Sequence, residues 1–306
     1  MNLKPAAGSR SGDRKGPAVG MRLAAAVATA AAFGCASATP YRELAGTGVA
    51  YSKAVVMLTD AAAALAVDAS SERLLQDDAL AGVDLDTLRR FDREDSARIA
   101  VLHALAAHAR LLSRYFALLR DLVDGKPGRA TLAALDATAD ALDDAGATLR
   151  GTAPASAVRA TRQAGATGLG FYGRDLARKE IAARAPVLDR ELATQRDLLA
   201  TLGAALRHDA GIVAGAREQR LVVEPLLADE LVADPDRWLE ERRLRLTAAP
   251  ALAELAAAAG AADDLRDAIA AVAARQPALD LLAGVAADAE AIRAALAALG
   301  LWREQP

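Results

Sequence analysis

The chain of 306 residues has one cysteine, so no disulfide can form within it and the fold does not depend on oxidation. Aromatic residues make up only 3% of it, which excludes an aromatic-rich core. Its one asparagine is Asn2, so the body carries no acceptor for Asn-linked glycosylation. The formal charge is −3, which gives no basic surface for nucleic acid. Hydrophobic residues are 53% of the chain, and many are alanine, the best helix former and a poor filler of volume. That composition predicts closely approaching helices joined by Leu, Ile and Val contacts.

Signatures of chemistry are equally sparse. There is no Gly-x-Ser-x-Gly, no His-Glu-x-x-His and no Glu-x-x-His, and Gly125-Lys126 lacks the upstream glycine of a phosphate loop. Gly168-Leu169-Gly170-Phe171-Tyr172-Gly173 fits G-x-G-x-x-G by letter, but no strand precedes it. It reads as a glycine run on a helix face where another backbone comes close, or as a local break. His103 and His108 are five apart, hence on different faces of one helix. With His208 they read as surface or partly buried structural histidines. Asp136, Asp140, Asp143 and Asp144, and again Asp263, Asp264 and Asp267, read as solvated faces of amphipathic helices. Tyr41, Tyr51, Tyr115, Phe116, Phe171, Tyr172, Trp238 and Trp302 are expected to anchor the core. No catalytic residue, metal ligand or cofactor is expected, and the chain does not read as an enzyme.

What is abundant is helical periodicity. Ile99, Leu102, Ala106, Ala109, Leu112, Phe116, Leu119 and Val123 trace one stripe, and Leu132, Leu135, Ala139, Leu142, Gly146 and Leu149 another. Between them, Gly125-Lys126-Pro127-Gly128 predicts a tight turn and an antiparallel hairpin. The expected fold is all-α: an elongated antiparallel bundle of long amphipathic Ala/Leu-rich helices, coiled-coil-like in packing, over residues 41–306. Helices are predicted at Tyr41–Val67, Asp92–Asp124, Ala130–Arg150, Ser156–Arg184, Val187–Ala216, Glu218–Leu231, Asp236–Leu246, Pro250–Ala259, Ala261–Arg275 and Ala278–Leu299. Pro186 either kinks one long helix or divides two. Ser70–Leu88, rich in Asp, reads as a loop or a short crossing helix. Glu94 with Arg98, Asp175 with Lys179 and Glu241 with Arg245 are spaced for exposed ion pairs.

The first 34 residues differ from the rest. Lys4, Arg10, Arg14, Lys15 and Arg22 against Asp13 give them a net +4. Taking that away from −3 leaves −7 for the remainder. An apolar and small-residue stretch, Leu23–Phe33, follows, too short for a membrane-spanning helix of ~20 residues. A charged segment, a short apolar segment and small residues at a cut define a secretory signal, here residues 1–34, with Met21 as an alternative start.

Ala32-Phe33-Gly34-Cys35 resembles the lipobox of bacterial lipoproteins, in which a small residue precedes the cysteine that receives the lipid. Phe33 stands where that class has a small residue. The resemblance covers residues 21–37 only. It implies lipidation of Cys35, a short tether over 35–40 and attachment of the body to a membrane by palmitate-containing lipid. Ala36 after the cysteine is similar to lipoproteins sorted to the outer membrane, facing the periplasm. An ordinary signal peptide cut near Ala36–Ala38 would instead leave a soluble periplasmic protein. The expected role is a non-enzymatic structural or protein-interaction module of the bacterial cell envelope, with another envelope protein as partner. The alternatives are a sensing or carrier bundle that binds a small molecule between helices, and an enzyme whose site is assembled across helices.

Overall fold

A computed structural model describes residues 38–76, 83–125, 128–151, 173–227, 234–243 and 258–298. The chain divides into Met1–Ser37 and Ala38–Pro306, and all described residues belong to the second unit. Cys35 and the lipobox residues Ala32, Phe33 and Gly34 lie outside the described residues, as do Gly168, Gly170, Phe171, Tyr172 and Trp302.

The fold is an all-α helical bundle, with no strand among the described residues. Its main helices are α1 (Thr39–Gln76), α2 (Leu85–Val123), α3 (Arg129–Arg150), α4 (Gly173–Arg217), α5 (Ala258–Ala273) and α6 (Leu279–Ala298). A π-helical stretch, Glu218–Val223, and one further turn, Glu224–Leu227, continue α4. Residues 235–243 form a short helix that Asp234 caps by accepting from the Arg237 N–H at 3.0 Å. Pro235 at its first position does no harm, because the N–H it lacks is one that a helix start leaves unpaired.

The buried positions alternate in steps of three and four. On α1 they run Leu44, Gly48, Tyr51, Val55, Leu58, Ala62, Leu65, Ala69 and Glu72. On α4 they run Leu188, Leu192, Gln195, Leu199, Leu202, Leu206, Asp209, Val213 and Ala216. This 3–4 repeat keeps these positions on one side of each helix, where they face the bundle core. At ~1.5 Å per residue, the 38 residues of α1 span about 57 Å. Helix α1 is long and apolar enough to cross a membrane by length and composition, but 56% of its most apolar window is buried within the bundle. It packs against α2, α4 and α6, and more lightly against α5.

Small residues set the helix separations. A β-carbon on Gly48 would fall 2.4 Å from the Phe116 ring, so only glycine lets α1 and α2 close at that level. Phe116 in turn meets Tyr115 edge to face, ring centroids 5.6 Å apart. The α2–α3 hairpin forms as the two stripes predict: Leu112, Leu119, Leu135 and Leu142 are all fully buried in one core. Gly125, at φ +83°, takes the left-handed conformation that ends α2.

Two expectations need correction. Ser70–Leu88 is mostly helix: α1 continues to Gln76, and α2 starts at Leu85, seven residues before Asp92. The start of α2 is fixed by Asp84, whose carboxylate accepts from the Thr87 N–H at 2.7 Å and is held below its usual pKa by that backbone donor. Pro186 does not divide α4, which is continuous from Gly173 to Arg217; Pro186 itself lies on the exposed side. The bundle also contains parallel neighbours. Tyr51 meets Gln195 and Glu72 meets Arg220, so α1 and α4 run in the same direction. Asp136 meets Arg184 and Arg150 meets Thr194, so α3 and α4 do too. Helix α2 runs against α1, α3 and α4.

Candidate functional site

The sequence predicts an apolar core, yet four helices bring a cluster of polar side chains into it. Tyr51 on α1, His108 on α2 and Glu191 and Gln195 on α4 are all 0% exposed. Tyr51 Oη–H donates to Gln195 Oε1 at 2.9 Å. Gln195 Nε2–H donates to His108 Nδ1 at 2.8 Å. An amide nitrogen can only donate, so Nδ1 must accept, and the imidazole proton sits on Nε2. That proton is given to Glu191 Oε2 at 3.1 Å. The chain therefore has one direction, from phenol to carboxylate, and every link is satisfied.

Arginines anchor the carboxylate end. Arg150, the last residue of α3, donates to Glu191 Oε2 at 2.9 Å and to Thr194 Oγ1 at 2.8 Å. Arg190 donates to Glu191 Oε1 at 3.1 Å and also pairs with Asp143. Burial alone would raise the Glu191 carboxyl. The hydrogen bonds from His108 and Arg150, with the charge of Arg150, overcome it and hold the group below the usual carboxylate range. Burial pushes the Tyr51 phenol far above its ordinary value, with the Asp263 charge adding to the effect. The cluster pairs two carboxylates, Glu191 and Asp143, with two guanidiniums, Arg150 and Arg190, around an imidazole whose hydrogen bonds place its proton on Nε2. The charges balance.

Room for the cluster comes from Gly146 on α3: a β-carbon there would fall 1.5 Å from Glu191 Oε2. Glycine lets α3 approach closely enough for Arg150 to reach the carboxylate. The stripe through Gly146 was legible in the sequence; its purpose was not.

Other polar pairs lie along the same side of α4. Glu180 is buried and meets Arg184 at 3.5 Å, and Arg184 bonds Asp136 at 2.6 Å. Asp209 is buried against Arg98 of α2. Beyond it, Arg220 grips Glu72 of α1 with two bonds of 2.7 and 3.0 Å, and Arg217 approaches it at 3.5 Å. Glu180, Glu191 and Asp209 are 11 and 18 residues apart, three and five helical turns, so they share one face of α4.

Of the histidines only His108 departs from expectation, and parts of the acidic faces do more than meet solvent. His103 and His208 are exposed, while His108 is fully buried at the centre of the chain. The Asp faces are paired as well as wetted: Asp136 and Asp140 face Arg184, Asp143 faces Arg190 and Arg150, and Asp263 faces Arg266 and Arg196. In each case a basic residue of α4, Arg184, Arg190 or Arg196, meets the Asp from the adjacent helix at matching height, while Arg150 and Arg266 add a partner on the same helix as their Asp. Asp144 and Asp267 are exposed. Arg98 reaches Asp209 on α4 instead of taking only a local partner. Gly173, the last glycine of the G-x-G-x-x-G run, opens α4 where a β-carbon would fall 2.6 Å from the Leu122 carbonyl oxygen, a close backbone approach as expected.

No group of three or more His, Cys, Asp or Glu among the described residues could hold a metal ion. The cluster can do little else chemically: its hydrogen bonds are directed inward, and its central groups have no contact with solvent. No family model, no curated protein and no solved structure matches the chain.

Proposed function

We propose that the protein is a lipid-anchored component of the bacterial cell envelope, a non-enzymatic helical bundle that serves as a structural or protein-interaction module. The observation that carries this reading is the position of Cys35. The only cysteine follows Gly34 at the end of a charged and then apolar segment, four positions before α1 begins at Thr39. Removal of residues 1–34 would leave Cys35 as the first residue, joined to the bundle by a tether of a few residues. The outer membrane, periplasmic face, is the destination that Ala36 favours.

The non-enzymatic part rests on the buried cluster. Groups that would otherwise be candidates for acid–base work are spent on each other, and His108 and Glu191 are 0% exposed, out of reach of a substrate. A satisfied polar layer in a seam of long helices fixes register and partner choice. A rigid body of defined register on a short lipid tether suits presentation of a surface to another envelope protein.

The test is metabolic labelling in a Gram-negative host. Wild type incorporates labelled palmitate and sediments with membranes, and Cys35→Ser loses the label and moves to the soluble fraction. An unlabelled wild type overturns the reading.

A further inference from the structure

We propose that the buried chain Tyr51–Gln195–His108–Glu191 is an acid-sensitive latch: a proton arriving on His108 Nδ1 turns the Gln195 amide over, leaves the buried Tyr51 phenol proton without an acceptor and loosens α1 from α4. The latch is a property of the bundle and does not depend on lipidation.

The geometry makes the two protonation states incompatible with one arrangement. His108 Nδ1 faces the Gln195 amide nitrogen at 2.8 Å. A second imidazole proton would put two donors against each other. The amide must then rotate, so that Oε1 accepts from Nδ1–H. The turned amide offers Nε2–H to Tyr51 Oη, which accepts it, so the link is reversed and the phenol proton that now goes to Oε1 at 2.9 Å is left without an acceptor. Tyr51 and Gln195 are both 0% exposed, so water is not at hand to replace it. That link is the polar tie between α1 and α4 at this level of the seam.

Charge acts in the same direction. From α4 the imidazole faces Glu191, with Arg190 behind it; from α3 it faces Arg150, with Asp143 behind. From α1 it is approached through Tyr51, which is neutral. On the far side of Tyr51, Asp263 of α5 is paired with Arg196 and Arg266. The carboxylates and guanidiniums around His108 already balance, so an added proton leaves a net positive charge in a buried site. Opening the seam relieves it by admitting water.

One substitution reverses the sign. In Gln195→Glu the side chain keeps its size and both of its terminal atoms accept. A protonated His108 then lies between two carboxylates and the charges balance again, while Tyr51 still finds an acceptor.

The experiment is hydrogen exchange on the full chain, solubilised in detergent, read in peptides covering residues 44–58 of α1 between pH 8 and pH 5. Linkage of one proton allows at most a tenfold change per pH unit. In wild type the protection factors of these amides should fall by about tenfold between pH 7 and pH 5.5. In Gln195→Glu they should hold or rise over the same range. His108→Gln should remove the dependence; if that variant does not fold, Gln195→Glu alone decides. Imidazole nitrogen NMR gives a second readout, because His103 and His208 are exposed references. At pH 7 His108 should carry its proton on Nε2 in wild type and protons on both nitrogens in Gln195→Glu. Protection that is flat in wild type, or that falls equally in Gln195→Glu, overturns the proposal.

Discussion

Gly146 sits so close to Glu191 that a β-carbon on it would lie 1.5 Å from the carboxylate oxygen which accepts from both His108 and Arg150. Two helices and two hydrogen bonds thus depend on one missing methyl group. Gly146→Ala must push Glu191 out of register with its donors or push α3 away. We expect a loss of about 3 kcal/mol, the range of an overpacked core joined to a disturbed buried charge. Gly46 is the control. It lies within α1 with nothing within 4 Å of an added β-carbon. Gly46→Ala should stabilise by about 0.5–1 kcal/mol through helix propensity. Urea midpoints of the two variants should move in opposite directions.

Glu191 also links stability to acid. Its carboxyl is held below the ordinary range in the folded chain, so its contribution is present above the unfolded value of about 4.5 and is lost as pH falls through the lower folded value. Glu191→Gln removes the charge and leaves Arg150 with an unmatched buried contact, at a cost on the order of 3 kcal/mol near pH 7. The difference in urea midpoint between wild type and this variant should shrink as pH drops below about 4.5. A difference that stays constant down to pH 3 would contradict the assignment.

Tyr51 behaves in the opposite sense. Burial raises its phenol above the unfolded value, so the stabilisation it gives is fully present below about pH 10 and declines as pH rises toward the folded value. Spectrophotometric titration of the folded protein should show the same reversible tyrosinate step in wild type and in Tyr51→Phe, because Tyr51 ionises only on unfolding. Tyr51→Phe should cost about 1–2 kcal/mol by leaving the Gln195 carbonyl without its donor.

The α2–α3 hairpin gives a direct test of the apolar seam. Leu142 is fully buried, and Asp144, two residues on, is exposed. Leu142→Asp buries an unpaired carboxylate and should cost several kcal/mol, on the order of 4. Asp144→Ala should stay within about 0.5 kcal/mol of wild type. Asp143 would be a poor control, because it faces Arg190 and Arg150.

These contrasts show what the sequence made legible. The stripes from Leu102 to Val123 and from Leu135 to Gly146 follow from apolar spacing alone, and the hairpin between them needs only a tight turn. The polar layer was hidden because a sequence does not say which helix faces which. A signal was nevertheless present: Gln195 and Asp209 fall on the step of three and four that carries Leu188, Leu192, Leu199, Leu202 and Leu206. Tyr51 and Glu72 occupy the same kind of position on α1. A polar residue at a seam position marks a buried partner. Asp136 and Asp143 read as solvated because their partners, Arg184 and Arg190, are more than forty residues away in the chain. His108 gave the same sign, because it falls on the step of three and four that carries Leu105, Leu112, Leu119 and Leu122.

The N-terminus of the mature chain tests the proposed function most directly. The protein would be purified from membranes of a Gram-negative host, digested and examined by mass spectrometry for its first peptide. The account predicts that the chain begins at Cys35, with residues 1–34 removed and the cysteine carrying a diacylglyceryl thioether and an acyl group on its amine. A first peptide that begins at Met1, at Met21 or beyond Cys35, or an unmodified Cys35, would contradict it.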